Sequence, residues 1–383
     1  MSRTAVVLMS VVVVAVLVGI AVHQLESVNH GTGPSLPQVQ GSLETSTSSS
    51  SQGKVTLRGS GATFPLPQIE AWIDEFMKDN PGVEVEYQGI GSGAGQEQFF
   101  KGLTDFCGSD PPLSRSKWEE YRGKVMQVPY ILGAVVITYN LPGMNDVHLK
   151  LDGRTVALIY LGKIEYWDDP RIKELNPGIK LPHERITVVH RSDASGTTQI
   201  FTTFLHEAAP SLWPSDLVGK TVNWPVDETG RGVGGKGNPG VIAIVRTTDY
   251  SVGYVELAYA LNEKLPVAAL KNRDGRFVLP SKETIQAAAS HALETGLIPT
   301  DPKEDFSRDI EAIIYAPGPN SYPLSAFSHL ILWTHYPKDK AEVLAKFLQW
   351  ICDKGDKYIV EGYVAAPDSI KTIIRKAASY LAG

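Results

Sequence analysis

The sequence predicts an α/β protein with room for two lobes. Three times, a short run of β-forming residues ends in a turn rich in Gly, Ser and Thr and then enters a segment with apolar residues at helical spacing. At 383 residues the chain is long enough for two good cores, and 43% hydrophobic with 20% charged residues is the balance of a soluble globular protein. No internal repeat or heptad array competes with this reading.

The N-terminus stands apart. Residues 5–22 read AVVLMSVVVVAVLVGIAV, just long enough to span a bilayer and longer than the usual apolar region of a signal peptide. No Ala-x-Ala-like site follows closely. The segment therefore reads as a transmembrane anchor, with a cleaved signal as the alternative. Arg3 before it and Glu26 after it put residues 1–4 inside and the rest of the chain outside, an extracytoplasmic location. Residues 23–53 read as a flexible linker, rich in Gly, Ser, Thr and Pro from His30 onward and too poor in apolar residues to fold.

The folded part begins near Lys54. Val55-Thr56-Leu57 reads as a strand, followed by the turn Gly59–Pro65. Ile69, Trp72, Ile73, Phe76 and Met77 then fall on one helical face, with Thr63 expected as the cap, Pro65 in the first turn and Pro81-Gly82 as the stop. Val83, Val85 and Tyr87 alternate as a second strand. Its turn, Gly89–Gly95, carries Ser92 and leads to a short helix through Phe99 and Phe100. Phe106-Cys107-Gly108 reads as a third strand, and Asp110 is a lone carboxylate at its end before two prolines. Val125–Val128 and Ala134–Tyr139 read as two strand-like runs around Pro129. Later come a β-like run, Phe327–Thr334, an amphipathic helix around Val343–Ile351, and a last helix over about Asp368–Leu381.

The most informative turn is His190–Thr198. Ile186–Val189 is a strand, and Ile200, Phe201, Phe204 and Leu205 mark the helix after it. Ser195, Gly196 and Thr197 sit at that helix start, where backbone N–H groups lack partners within the helix and the helix dipole is positive. With the fork of Arg191, this suits a small tetrahedral oxyanion. A capped helix with a surface arginine is the plainer alternative, and the two upstream turns of the same type favour the anion.

Other chemistries find little support. The net charge is −6 and no basic block stands out, which argues against nucleic acid. Cys107 and Cys352 lie in no metal-type cluster, so no metal is expected; buried free thiols or a single disulfide both remain open. Gly89-x-Gly91-x-x-Ala94 fits a dinucleotide fingerprint loosely and lacks its acidic partner. Gly230–Gly237 nearly spells a P-loop, but Gly237 stands where Ser or Thr binds magnesium; the loop reads instead as the lead-in to an apolar helix opened by Asn238-Pro239-Gly240. Ser114-x-x-Lys117 matches a serine-acylase motif without its partners. The Ser-rich turns have no paired histidine apart from His190, so no catalytic residue or cofactor is assigned.

Four stretches in order resemble the periplasmic phosphate-binding proteins of ABC-type phosphate importers: Gly59–Pro65, Tyr87–Gly95, Gly108–Ser114 and Arg191–Thr197. Tyr160–Ile164, Trp167–Asp169, the Gly234–Gly240 loop and Gly253–Glu256 support them, and the resemblance covers about residues 54–383. It implies a two-lobed, type II periplasmic-binding-protein (Venus-flytrap) architecture with a ligand cleft between the lobes. Lobe one is then 54–130 and 323–383, and lobe two 131–322, with crossings near Val128–Gly133 and Tyr322–Ala326. The implied phosphate-binding residues are Thr63, Phe64, Ser92, Asp110, Arg191, Ser195, Gly196 and Thr197, with Asp193 orienting Arg191. The resemblance further implies a monomeric, non-enzymatic protein that hands phosphate to permease and ATPase subunits. The alternatives are a phosphatase or phosphotransferase on a similar scaffold, and a binder of arsenate or sulfate.

Overall fold

The structure is a computed structural model that describes residues 54–383. The expected N-terminal end, membrane segment and linker (1–4, 5–22 and 23–53) lie outside the described residues. No helix among the described residues is long and apolar enough to cross a membrane.

The chain alternates strands and helices. β1 (Val55–Gly61), α1 (Leu66–Asp79), β2 (Val83–Gly89), α2 (Ser92–Phe100), β3 (Phe106–Ser109) and α3 (Arg115–Glu120) come first. The long β4 (Val125–Asn140) leads to β5 (Lys150–Leu151), α4 (Gly153–Tyr160), α5 (Pro170–Leu175), β6 (Thr187–Arg191) and α6 (Gly196–Ala208). Then follow β7 (Gly232–Gly235), α7 (Gly237–Thr247), β8 (Ser251–Glu256), α8 (Leu257–Asn262), β9 (Ala269–Lys271), β10 (Phe277–Val278), α9 (Lys282–Glu294) and α10 (Asp309–Ile313). β11 (Ser325–Trp333), α11 (Lys338–Asp353), β12 (Val364–Ala365) and α12 (Asp368–Ala382) close the chain.

The main sheet runs β2-β1-β3-β11-β4-β8-β6-β7, with β12 pairing β4. It holds two parallel triplets. β1 pairs parallel with β2 and β3, and β6 pairs parallel with β7 and β8. β4 and β11 run antiparallel between them. The first part of β4, from Val125 to Ala134, pairs with β11, and its second part, from Val135 to Asn140, pairs with β8. One strand thus links the two triplets, and the carboxyl ends of the parallel strands feed the helix starts where ligands bind in open α/β sheets.

Two local expectations are corrected. β4 is one continuous strand, not two runs broken at Pro129. Pro129 lies opposite His329, beside a register shift between Ser328 and His329; a strand irregularity is where a residue without an N–H is tolerated. Thr63 is not the cap of α1. Pro65 holds that position with no side-chain cap, because the Thr63 hydroxyl is engaged by Asn238. Ser114 caps α3 by accepting the Lys117 N–H, a structural use for the Ser114-x-x-Lys117 spacing. Cys107 and Cys352 are free and buried.

Aromatic side chains gather at two places in the main core. Trp72 packs on Tyr130 at 6.1 Å and Phe76 on Phe347 at 5.0 Å, which locks α1 and α11 together. Around β6 and α6, Phe201 stacks on Tyr254 at 4.2 Å, and Tyr160 and Trp224 pack around the pair. This second cluster bears directly on the cleft, because the Tyr254 hydroxyl emerges from it at Arg191. Trp72 is 1% exposed, and its indole N–H donates to the Gly355 carbonyl. Trp72→Ala therefore leaves a cavity and an orphaned carbonyl. We expect urea unfolding to show a loss of about 3–5 kcal/mol; a loss within the usual surface range would contradict the packing described.

Candidate functional site

The turn after β1 is held from behind. The Thr63 carbonyl accepts the Tyr259 hydroxyl at 2.6 Å, and the Phe64 carbonyl accepts the Tyr363 hydroxyl at 2.5 Å. With both carbonyls turned to these donors, the Phe64 N–H and the Thr63 hydroxyl belong to the front of the turn. Thr63 Oγ1 accepts from the Asn238 N–H at 3.0 Å and from Asn238 Nδ2 at 3.1 Å. Its own hydrogen is left free to donate. Asn238 Nδ2 also reaches Thr197 Oγ1 at 3.2 Å, joining the two residues across the cleft.

Ser92 opens α2 and is fully buried. Its Oγ accepts the Asp110 N–H at 3.3 Å and lies 3.5 Å from Asp110 Oδ2. Ser328 Oγ donates to Asp110 Oδ1 at 3.0 Å, and His329 Nδ1 lies 3.1 Å from the Asp110 carbonyl. On its far side His329 Nε2 meets Asp309 Oδ2 at 2.5 Å, with both side chains 1% exposed. Burial alone would lower this imidazole, but the charge of Asp309 and its hydrogen bond hold it above its usual value. Asp110 is 1% exposed. Burial pushes its carboxyl up to about 7, against the pull of the Ser328 hydrogen bond and the Arg191 charge.

On the β6 side of the sheet, Arg191 stands at the end of its strand with its side chain 1% exposed. Its N–H donates to the Tyr254 hydroxyl at 3.1 Å. Nε and Nη2 donate to the two oxygens of Asp193 at 2.8 and 2.6 Å. Asp193 Oδ1 also accepts the Gly237 N–H at 3.0 Å. Burial would raise the Asp193 carboxyl, but Arg191 and that N–H outweigh it and hold the group below the usual range. Nη1 of Arg191 is buried and has no partner among the described residues.

Ser195 caps α6 by accepting the Thr198 N–H at 3.1 Å, which leaves its hydroxyl hydrogen free. Among the described residues, the N–H groups of Phe64, Ser92, Gly196 and Thr197 bond to no backbone carbonyl or side chain. Gly196 lies against Ser92 Oγ and Asp110 Oδ2, so a Cβ there would collide with both. Gly91 adopts φ +93° and lies against Asp193, which also leaves no room for a side chain. These contacts bring Thr63, Phe64, Ser92 and Asp110 together with Arg191, Asp193, Ser195, Gly196 and Thr197 in one buried cluster.

Sequence reasoning did not assign Asn238, Ser328, or the His329–Asp309 pair. Asn238 had a signal, since it lies in the Gly234–Gly240 loop. His190 points away from the cluster: its Nε2 pairs with Asp227 Oδ1 at 2.8 Å and its ring stacks on Trp224. Among the described residues no group of three or more His, Cys, Asp and Glu is placed to hold a metal ion.

Two parallel triplets joined by antiparallel strands, with helix starts converging on a closed cleft, define a two-lobed solute-binding protein. Residues 45–354 match the PBP superfamily domain. The phosphate-binding protein PstS of Methanocaldococcus jannaschii is 50% identical over 331 residues, 83% of this chain and 84% of that protein. The Haemophilus influenzae phosphate-binding protein PstS is 37% identical over 329 residues, 84% and 91% of the two chains. The chain belongs to the PstS family of phosphate-binding proteins. A solved structure of a high-affinity periplasmic phosphate-binding protein (PfluDING) bound with phosphate shares the fold, with a TM-score of 0.66 and 22% identity over 84% of this chain and 93% of that one.

Asp110 gives the ligand-free protein a pH signature. Its folded-state value of about 7 lies above the ordinary 3.8, so the folded state binds the proton more tightly than the unfolded chain. The stabilisation is present below about pH 4 and is lost as pH rises towards 7. Asp110→Asn removes this component. In stripped, phosphate-free protein, the stability difference between variant and parent is expected to shift in favour of the variant by up to about 4 kcal/mol between pH 4 and 8. A pH-independent difference would contradict the buried, raised carboxyl.

Proposed function

We propose that this chain binds inorganic phosphate outside the cytoplasm and delivers it to an ABC transporter. The observation that carries the reading is the buried, unpartnered Nη1 of Arg191 within the same cluster as four unbonded backbone N–H groups. Buried donors without acceptors are costly, and one tetrahedral anion relieves all of them at once.

In this reading Thr63, Ser92, Ser195 and Thr197 donate hydroxyls, and Phe64, Ser92, Gly196 and Thr197 donate backbone N–H groups. Arg191, oriented by Asp193, supplies the one formal positive charge. Asp110 supplies the selectivity. Phosphate carries a proton at neutral pH and sulfate does not, so Asp110, in the ionised form that the Arg191 charge favours, accepts a hydrogen bond from the first and meets only lone pairs on the second. Sites that leave a buried polar group unpaired reject the wrong ligand by about 10⁴-fold or more. The two named relatives are phosphate-binding proteins, which favours phosphate over sulfate. Arsenate shares the shape and protonation of phosphate and is the natural competitor. A phosphatase or phosphotransferase needs a nucleophile with its base; His190, which lies beside the site in sequence, is engaged with Asp227 instead.

The lobes of this reading are 54–130 with 323–383, and 131–322, hinged at the crossings near Val128–Gly133 and Tyr322–Ala326. Closure brings Arg191–Thr197 onto Ser92 and Asp110. Residues 5–22 would anchor the protein and residues 23–53 tether it, as a monomer, near permease and ATPase subunits.

The test is competition between phosphate and sulfate for the parent and Asp110→Asn. The parent is expected to ignore a large excess of sulfate, and the variant to lose most of that preference. Unchanged discrimination in a folded variant would remove Asp110 from the mechanism.

A further inference from the structure

Lys220 lies between α6 and β7, and its Nζ donates across the cleft to Gln96 Oε1 on α2 at 2.9 Å. Gln96 Nε2 in turn donates to Ser109 Oγ at 2.9 Å, at the end of the strand that presents Asp110. The carbonyl of Lys220 accepts the Ser195 N–H at 2.8 Å, and Ser195 caps the helix that carries Gly196 and Thr197. One residue is therefore bonded by its side chain to the lobe of Ser92 and Asp110, and by its backbone to the helix start that closes on them.

Its charge is also unusual. Lys220 lines a cavity of about 620 Å³ with Gly93, Gln96, Lys101 and Lys117, beside the Gly91–Ser92 turn. Lys101 and Lys117 are neutralised by Glu97 and Glu120. Lys220 makes no ion pair among the described residues; its bond goes to a neutral amide. Burial lowers its ammonium from the usual range. A partly buried, unpaired cation beside an anion site both attracts the incoming anion and gains most from the site being filled.

We propose that Lys220 is a positioning residue for phosphate, a latch that holds the lobes closed through Gln96 and draws the anion to the cleft. This rests on the reading of the site as a phosphate site. The bond to Gln96 exists only with the lobes together, so it acts on release; the unpaired charge acts at a distance, so it acts on capture.

The test uses ligand-stripped full-length protein and inorganic phosphate, with calorimetry for affinity and stopped-flow mixing for rates at two salt concentrations. Lys220→Met is expected to weaken binding about tenfold, with faster release and a shallower salt dependence of association. Lys220→Arg, which keeps charge and donor, is expected to restore most of the affinity. Gln96→Ala is expected to speed release, and the double variant Gln96→Ala/Lys220→Met to be little worse than Lys220→Met alone, because both remove one bond. Melting curves identify any variant that fails to fold; Gln96→Ala and the Arg variant then carry the test. Lys220→Met binding phosphate like the parent, or strict additivity of the two substitutions, would overturn the latch. A parent protein that binds no phosphate would overturn the reading of the site itself, and the two failures are distinct.

Discussion

A guanidinium removed from water must find acceptors for its N–H groups, and much of this molecule is arranged around that need at Arg191. Asp193 takes Nε and Nη2 in a forked pair and is itself fixed by the Gly237 N–H at the start of α7. The Tyr254 hydroxyl accepts the Arg191 backbone N–H and also bonds Thr198 Oγ1. Through that one hydroxyl, the aromatic core of Tyr160, Phe201 and Trp224 sets the height of β6 and the start of α6 together. The start of α2 accommodates the pair with Gly91, whose backbone conformation and missing side chain let it lie against Asp193. Losing Asp193 would leave a buried charge without compensation, a change usually costing about 3–5 kcal/mol.

The second buried charge is of the opposite sign and has a different support. Asp110 is held by hydroxyls, Ser328 on one oxygen and Ser92 near the other, with the His329–Asp309 pair behind its carbonyl. Burial raises the carboxyl, and the Ser328 hydrogen bond and the Arg191 charge draw it back without locking it in an ion pair. Arg191 and Asp110 do not form an ion pair with one another. Each keeps hydrogen-bonding capacity for a third party, and the helix starts supply the remaining donors through dipoles rather than full charges.

The local parts of this design were legible in the sequence, because strand, turn and helix signals all operate within a few residues. The starts of α2 and α6, the end of β3 and the stop of α1 lie close to where their apolar patterns and glycines put them. What sequence reasoning missed depends on partners far apart along the chain. The Thr63 hydroxyl looks like a cap until Asn238, 175 residues away, claims it. Ser328 lies 218 residues from the carboxylate it supports. Pro129 reads as a strand breaker, yet the register shift opposite it lets β4 continue. Lys220 sits in a stretch with no periodicity at all, and nothing local marks it as bonded to Gln96.

In the proposed function, the buried donors and the single carboxyl form a site for a protonated tetrahedral anion. Calorimetric titration of the purified protein, first stripped of any phosphate carried through preparation, is the test. One-site binding of phosphate at micromolar affinity or tighter, about −8 kcal/mol or more, is expected, with no heat from sulfate at neutral pH. A folded, demonstrably stripped protein that gave no heat with phosphate, or equal binding of the two anions, would contradict it.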